Sequence, residues 1–325
     1  MHKHLTAVER SQIQLLLSNN YSLRKIGDML NRSASTISRE LARNKSTRQY
    51  CFKKAQTLSK KRRTNASSIP KKMKLDLITI IERKLRLYWS PDQISGWLKK
   101  HSVSISHETI YKYIAKARAA GSNLYTCLRH KGKRYRSRIS KTAGRGIIPN
   151  RISINKRSKV VENKTRIGDW EADTIIGKNH KGVLITLVDR CSKIALVAFA
   201  HTRTASEVTQ AIINHLKRIP AKYRKTITFD NGKEFSQHQL IARKLNVRCY
   251  VAAPYSPWDR GLNEYTNGLI RQYIPKKTDL TTMSKYQILK IQKALNKRPR
   301  KVLNYRSPEK VISKSKKFLS VALGG

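Results

Sequence analysis

A chain that carries 70 lysines and arginines against 19 aspartates and glutamates has a formal net charge of +51, and that surplus constrains every fold open to it. Such a body must hold its charges apart or meet a polyanion, and a basic surface gains free energy by releasing counterions from nucleic acid. The few acids are unevenly placed: residues 1–161 hold seven, and residues 162–279 hold eleven. The first half is almost wholly cationic, whereas the second keeps carboxylates it had every electrostatic reason to lose. No stretch reaches the ~18–20 apolar residues of a membrane span. The opening Met1-His2-Lys3-His4-Leu5-Thr6 has no apolar segment of the kind that directs secretion. No membrane partner and a cytoplasmic location are expected. Cys51, Cys127, Cys191 and Cys249 form no CxxC pair, so they are expected to be reduced and mostly buried.

The amino-terminal segment reads as a helix-turn-helix. Thr6 and Glu9 stand at capping-box spacing before Ile13, Leu16 and Leu17. A second helix carries Leu23, Ile26 and Leu30; Gly27 permits close approach, and Asn31 suits a left-handed turn. A third helix over about 35–44 buries Ile37 and Leu41, which leaves Thr36, Arg39 and Arg43 on the opposite face. Those side chains are of the kind that reads base edges and phosphates in a major groove, so they are the candidate DNA-binding residues. The alternative is a plain three-helix bundle with a solvated basic face; the overall charge favours DNA.

Further on, Ser90 and Pro91 open a second capped helix, and Ser106 opens another with Ile110 and Ile114 inward. This pair is either a second helix-turn-helix with a longer turn or a structural helical pair. The run from Arg129 to Arg138, followed by Gly144, Gly146 and Pro149, repels itself and reads as an exposed linker or arm.

Beyond residue 165 the pattern changes. Asp169–Ile176, Gly182–Asp189 and Lys193–Ala200 are short runs of Val, Ile, Leu and Thr with turn signals between them. An amphipathic helix from Ala205 follows, then a strand at Thr226–Phe229 ending on Asp230-Asn231-Gly232. A helix at 237–245, a strand at 247–251 and a helix at 261–273 complete a mixed sheet covered by helices.

Phosphoryl transfer is served by clustered carboxylates that hold divalent ions. Asp173 lies in the first strand and Asp230 ends the fourth. Glu264 opens the last helix, with Asn267 and Arg271 on its face. Competitors exist. Glu171 shares a strand face with Asp173, so residue type and periodicity leave the two open. Asp169 and Asp189 read as turn or cap residues, Glu234 as a loop carboxylate and Asp259 as a cap. Tyr265 and Tyr273 read as packing or phosphate contacts rather than covalent nucleophiles. No phosphate-binding Gly-x-x-x-x-Gly-Lys loop is present.

Three blocks carry a family resemblance: Gly168-Asp-Trp-Glu-Ala-Asp-Thr-Ile-Ile-Gly177, Thr228-Phe-Asp-Asn-Gly-Lys-Glu-Phe235, and Arg260 through Tyr273. Together with Asn296-Lys-Arg-Pro-Arg300 and Tyr305-Arg-Ser-Pro308, they resemble the signature blocks of the IS-thirty-type insertion-sequence transposases. Those enzymes belong to the class with a DDE triad and a retroviral-integrase-like, ribonuclease-H-type core. The resemblance singles out Asp173, Asp230 and Glu264 as catalytic and metal-holding, with 33 residues between the last two, the interval expected of the family. It implies two magnesium ions, replaceable by manganese, and strand cleavage followed by strand transfer. The implied partners are the element's terminal inverted repeats and target DNA, with a homo-oligomer as the active complex. Arg271 joins the DNA-binding candidates. The rival is a DNA-binding repressor with a decayed catalytic core, against which all three acids are present.

The expected architecture is multidomain: amino-terminal all-α helix-turn-helix regions followed by an α/β ribonuclease-H-like core. The expected parts are a helix-turn-helix domain at 1–50, a second helical region at 51–128, a basic linker at 129–164, a catalytic core at 165–280 and a helical extension at 281–325.

Overall fold

The computed structural model describes residues 4–44, 49–68, 73–131, 148–252 and 261–323. Contacts divide the chain into two compact units, residues 1–75 and 76–325. Asp259 and residues 132–147 of the basic run lie outside the described residues.

In the first unit, Thr6 and Glu9 form the expected reciprocal cap of α1 (Ala7–Ser18). Ser22 caps α2 (Leu23–Met29), and Asn31 takes a left-handed φ of 51° in the turn to α3 (Ala34–Asn44). Gly27 is required there, because a Cβ would lie 2.6 Å from the carbonyl oxygen of Arg32. Ile13, Ile26 and Ile37 are fully buried at the centre, ringed by Leu16, Leu17, Leu23, Leu30 and Leu41. This is the helix-turn-helix the sequence announces.

A fourth helix, α4 (Phe52–Ser68), packs on α1 through a buried charge that periodicity does not reveal. Arg10 donates to Glu40 of α3 at 2.6 Å and to Gln56 of α4 at 2.7 Å, and Tyr50 donates to the same carboxylate at 3.3 Å. Both charged side chains are under a tenth exposed.

The second unit begins with α5 (Leu75–Arg86), α6 (Pro91–Lys99) and α7 (His107–Ala119), the last two capped by Ser90 and Ser106 as expected. A short α8 (Lys159–Glu162) precedes the sheet. The strands are β1 (Asp169–Ile176), β2 (Val183–Asp189), β3 (Ala195–Ala200), β4 (Thr226–Phe229) and β5 (Arg248–Val251). Their order is β3-β2-β1-β4-β5, antiparallel from β3 to β1 and parallel from β1 to β5. That is the mixed sheet the alternation of elements implies.

The pleat sends alternate residues to two different cores. Trp170, Ala172, Ile185, Leu187, Ile227 and Phe229 face α9 (Ala205–Lys217) and α10 (His238–Leu245). Ile175, Leu184 and Val197 face α11 (Gly261–Tyr273) and α12 (Lys285–Lys297). The odd-numbered residues of β1, Glu171 and Asp173 among them, therefore look toward α11.

Both sheet edges are closed, which removes the hazard of an unpaired strand. On the β3 edge, the amide of Ala195 donates to Asn296 and the amide of Val197 donates to Gln292, each at 2.8 Å, while Asn296 returns a bond to the Ala195 carbonyl. On the β5 edge, the Val251 amide donates to the Ile152 carbonyl at 2.9 Å, and Ile148 and Ile154 are buried beside it. Residues 148–164, expected in the linker, are thus built onto the core.

The carboxy-terminal segment, with α13 (Pro308–Val311) and α14 (Lys316–Leu323), wraps back on both ends of this unit. Arg298 donates to Gln93 of α6 at 2.7 Å and to Gln272 of α11 at 2.8 Å, and the Tyr305 hydroxyl donates to Asp92 at 3.1 Å. The helix pair at α6–α7 therefore shares a body with the sheet, whereas α4 belongs to the amino-terminal unit. All four cysteines are free, but only Cys249 is buried, where desolvation pushes its thiol up to about 12. The other three are half-buried, so the expectation of mostly buried thiols does not hold. Among the described residues no helix is long and apolar enough to cross a membrane.

Glu40→Ala would leave the Arg10 guanidinium buried without its counter-charge. Breaking such a pair costs about 3–5 kcal/mol, so the amino-terminal unit should melt well below the wild type in a thermal scan followed by circular dichroism. An unchanged melting profile would show that the pair does not hold α1 to α3.

Candidate active site

Strand register brings two of the predicted carboxylates together. β1 and β4 run parallel, with Glu171 opposite Thr228. Two residues further along stand Asp173, within β1, and Asp230, just past the end of β4. Neighbouring strands are ~4.8 Å apart, so both carboxylates leave the sheet at one end and side by side. Both are half-buried. The Asp230 side chain turns back to accept the Gly232 amide at 2.9 Å, the bond of an Asx turn. The turn has no room at Gly232, where a Cβ would meet Glu234 Oε2 at 2.4 Å and Asp230 Oδ1 at 2.8 Å.

Helix α11 supplies the third group. Asn267 donates from Nδ2 to Asp173 Oδ2 at 2.8 Å and accepts from the Thr186 hydroxyl at 3.1 Å. The same hydroxyl reaches the Asp173 carbonyl at 3.3 Å, and the Thr174 amide donates to Asp173 Oδ1 at 2.9 Å. Asp173 is thereby oriented from three directions. Glu264 lies one turn before Asn267 on the same helix face and is exposed. Among the described residues no three carboxylate, thiol or imidazole groups converge closely enough to hold an ion. Register makes Asp173 and Asp230 neighbours, whereas Glu264 stands exposed on α11. The donor chemistry suits a hard divalent cation, which takes carboxylate oxygens and completes its shell with water and phosphate.

The remaining acids sort differently from their sequence-based reading. Glu171 is almost fully buried and pairs with Arg190, whose Nε also donates to the Val161 carbonyl at 3.1 Å. Asp169 is fully buried, where it accepts from Arg166 at 3.0 Å and from Thr226 at 2.8 Å, so it is an internal brace rather than a turn or cap residue. Asp189 does hold a turn, accepting the Ser192 amide at 2.6 Å and the Gly168 amide at 2.7 Å, but it does so with no exposed surface. Burial raises its carboxyl above the usual range, and those hydrogen bonds oppose the rise.

Glu234 is the residue that sequence reasoning undervalued. It is buried under the Asp230 turn, accepts from Arg203 Nε at 3.0 Å and takes a bond from Thr174, the neighbour of Asp173, also at 3.0 Å. It thus joins the strand bearing Asp173 to the turn bearing Asp230. Its position four residues after Asp230 was visible; its partner Arg203, 31 residues away, carried no signal.

Among the candidate DNA-binding residues, Arg39 and Arg43 are exposed on α3, and Arg39 bonds only lightly to Ser35 at 3.1 Å. Thr36 is half-buried with its hydroxyl against Ser33 at 2.9 Å. Arg271 is engaged within the fold: its Nη2 donates to the Ile176 carbonyl at 3.0 Å, which ties α11 to the end of β1.

Comparisons with known proteins agree in two places and over the whole length. Residues 1–44 match the model of a helix-turn-helix domain, and residues 164–257 match that of an integrase core domain. The chain is 40% identical to a transposase for insertion sequence element IS4351 of Bacteroides fragilis over 95% of both chains. It is 36% identical to the transposase InsI for insertion sequence element IS30A of Escherichia coli, over 96% of this chain and 84% of that one. A transposase for insertion sequence element IS1086 of Cupriavidus metallidurans is 34% identical over 96% of this chain and 95% of its own.

Arg203→Ala would leave the Glu234 carboxylate buried without its cation. An unpaired buried charge costs on the order of 1–3 kcal/mol or more, with the lower end expected because Arg203 is itself part-exposed. Urea unfolding should show a lower midpoint with an unchanged slope. A variant as stable as the wild type would mean that the Asp230 turn stands without this pair.

Proposed function

The chain belongs to the IS30 family of insertion-sequence transposases, and we propose that Asp173, Asp230 and Glu264 are the carboxylates that carry its chemistry. As a transposase with an integrase core it is a polynucleotidyl transferase that acts on DNA. The observation that supports the assignment is the register that puts Asp173 and Asp230 at the same end of neighbouring parallel strands, with the helix that bears Glu264 tied to Asp173 through Asn267.

The reaction proposed is a pair of in-line phosphoryl transfers. Water attacks the phosphodiester at the element's end, one P–O bond forms as another breaks, and a 3′ hydroxyl is freed. That hydroxyl then attacks a phosphodiester of the target and displaces its 3′ oxygen. No protein–DNA covalent bond forms. Asp173, Asp230 and Glu264 would hold two divalent ions, magnesium or manganese, and such ions supply charge stabilisation to the entering and leaving oxygens. Asn267 and Thr186 keep the Asp173 carboxylate aimed, and the Glu234–Arg203 pair keeps the Asp230 turn in place. Glu264, exposed on α11, is the member whose position depends most on bound DNA.

Recognition of the element's terminal repeats falls to the amino-terminal unit. Its helix-turn-helix leaves Arg39 and Arg43 exposed and Thr36 at the edge of the same face. Arg271 contributes to the catalytic unit by bracing α11 and reaches DNA only if it releases Ile176. The active complex is a homo-oligomer in this reading, so that two element ends meet one target.

Asp230→Asn and Glu264→Gln keep side-chain shape and remove a charge. Both should fold and bind DNA normally while cleavage of a fragment bearing the element's end falls by several orders of magnitude, and EDTA should do the same to the wild type. Near-normal cleavage by either variant would refute the triad. Arg39→Ala should cost about 1–3 kcal/mol of specific binding if it reads a base, and relax selectivity at one position. Equal weakening on all sequences in a gel shift, with a flatter salt dependence, would make it a phosphate contact instead.

A further inference from the structure

A cavity of about 520 Å³ opens at the start of α11, on the sheet face that also carries Asp173. Four cations line it, Lys164, Lys193, Arg300 and Lys301, together with Glu171 and the ring of Tyr265. Its acids cancel only part of that charge. Glu171 is paired with Arg190, and Asp92, the other acid in the lining, accepts the Tyr305 hydroxyl at 3.1 Å.

Two lining residues carry buried polar atoms with no hydrogen-bond partner among the described residues. Arg300 is 4% exposed; its Nη2 donates to the Leu295 carbonyl at 3.1 Å, but its Nη1 has no hydrogen-bond partner. Glu171 is 1% exposed, and its Oε2 is likewise unpartnered. Both side chains thus form part of the cavity's floor, with the Arg300 guanidinium beside Tyr265. The volume lies within the ~300–1,000 Å³ range of ligand sites and exceeds what a bare phosphate fills. Half-exposed Tyr265 stands in the lining with the Arg129 and Arg300 guanidinium groups over its ring at 5.3 and 5.8 Å, which adds to the positive character of the wall.

Position supplies the last constraint. Glu171 and Asp173 are two residues apart on one strand face, a separation of about 6.6 Å at 3.3 Å per residue. We infer that this cavity seats the nucleotide adjoining the cleaved bond, with its phosphate held by Arg300, Lys193 and Lys301 while Asp173 and Asp230 act on the next phosphate. Burial, with Lys164 close by, holds the Lys193 ammonium below its ordinary range, so an incoming anion would relieve an existing cost.

The inference rests on the catalytic reading for the identity of the neighbouring phosphate, but its test reads binding alone. Full-length protein in EDTA is titrated by fluorescence anisotropy against DNA carrying the element's end. Each phosphate flanking the cleaved bond is replaced in turn by a neutral methylphosphonate. The wild type should lose about tenfold in affinity at one flanking position. The Lys193→Ala/Lys301→Ala variant should lose a similar factor on native DNA and nothing further on that modified DNA, the signature of two partners in one contact. Lys301→Ala, at an exposed lysine, should show half of this logarithmic effect in a protein whose folding is not at stake. Lys217→Ala, on α9 across the sheet, should change affinity little and remain fully sensitive to the methylphosphonate. The inference is overturned if protein and DNA losses add in full at both flanking positions, or if Lys217→Ala weakens binding as much. Cleavage by Asp230→Asn would refute the triad without altering this measurement, so the two readings fail separately.

Discussion

Buried carboxylates, each met by a cation or by amides, are the interactions on which this structure depends. In a chain with 51 surplus positive charges a buried cation without a counter-charge is costly, and several of the scarce acids sit where they offset one. Glu40 neutralises Arg10 at the centre of the amino-terminal unit. Glu171 neutralises Arg190, and Glu234 neutralises Arg203, under the two strands that carry the proposed active site. Asp189 is held by amides and a hydroxyl instead, at the turn where β2 leaves the sheet. The carboxylates of the proposed site are less deeply buried than these: Asp173 and Asp230 are half-buried and Glu264 is exposed.

That division links stability to chemistry. Groups aimed at a reacting phosphate must stay accessible and yet hold a narrow geometry, and accessible side chains do not hold themselves. The internal pairs do it for them. Glu234 joins Thr174 to the loop after Asp230, so the two strands of the proposed site share one brace. Asn267 joins Asp173 to α11, so the helix of Glu264 is referenced to β1. The carboxy-terminal segment extends the same arrangement outward, since Asn296 and Gln292 close the β3 edge while Arg298 bridges α6 and α11. A segment that reads in sequence as a helical appendage is thus part of the frame behind the site.

Much of this was legible beforehand, for identifiable reasons. Capping boxes at Thr6 and Ser90, apolar spacing in α1 to α3 and the period-two runs of β1 to β3 are local signals, so the elements fall within a residue or two of their expected bounds. The two units were less legible, because nothing local says that α6 packs against Tyr305, whose ring occupies the space a Cβ on Gly96 would fill. Burial of the acids was least legible of all. Asp169 reads as a turn residue and Glu234 as a loop residue, since a carboxylate near a turn is normally solvated; cations make burial tolerable, Arg166 three residues from Asp169 and Arg203 31 residues from Glu234.

The sequence by itself determined the kind of protein this is. Charge imbalance demanded a polyanion, helical spacing gave a helix-turn-helix, and three blocks of residues gave the family, because those depend on residue type and near neighbours. Tertiary structure alone decided which carboxylates stand in the open. Glu171 and Asp173 are indistinguishable by type, spacing and strand face, yet one meets Arg190 in the interior and the other meets Asn267 at the rim. That choice turns on partners 19 and 94 residues away, and no local pattern encodes a contact at such separation.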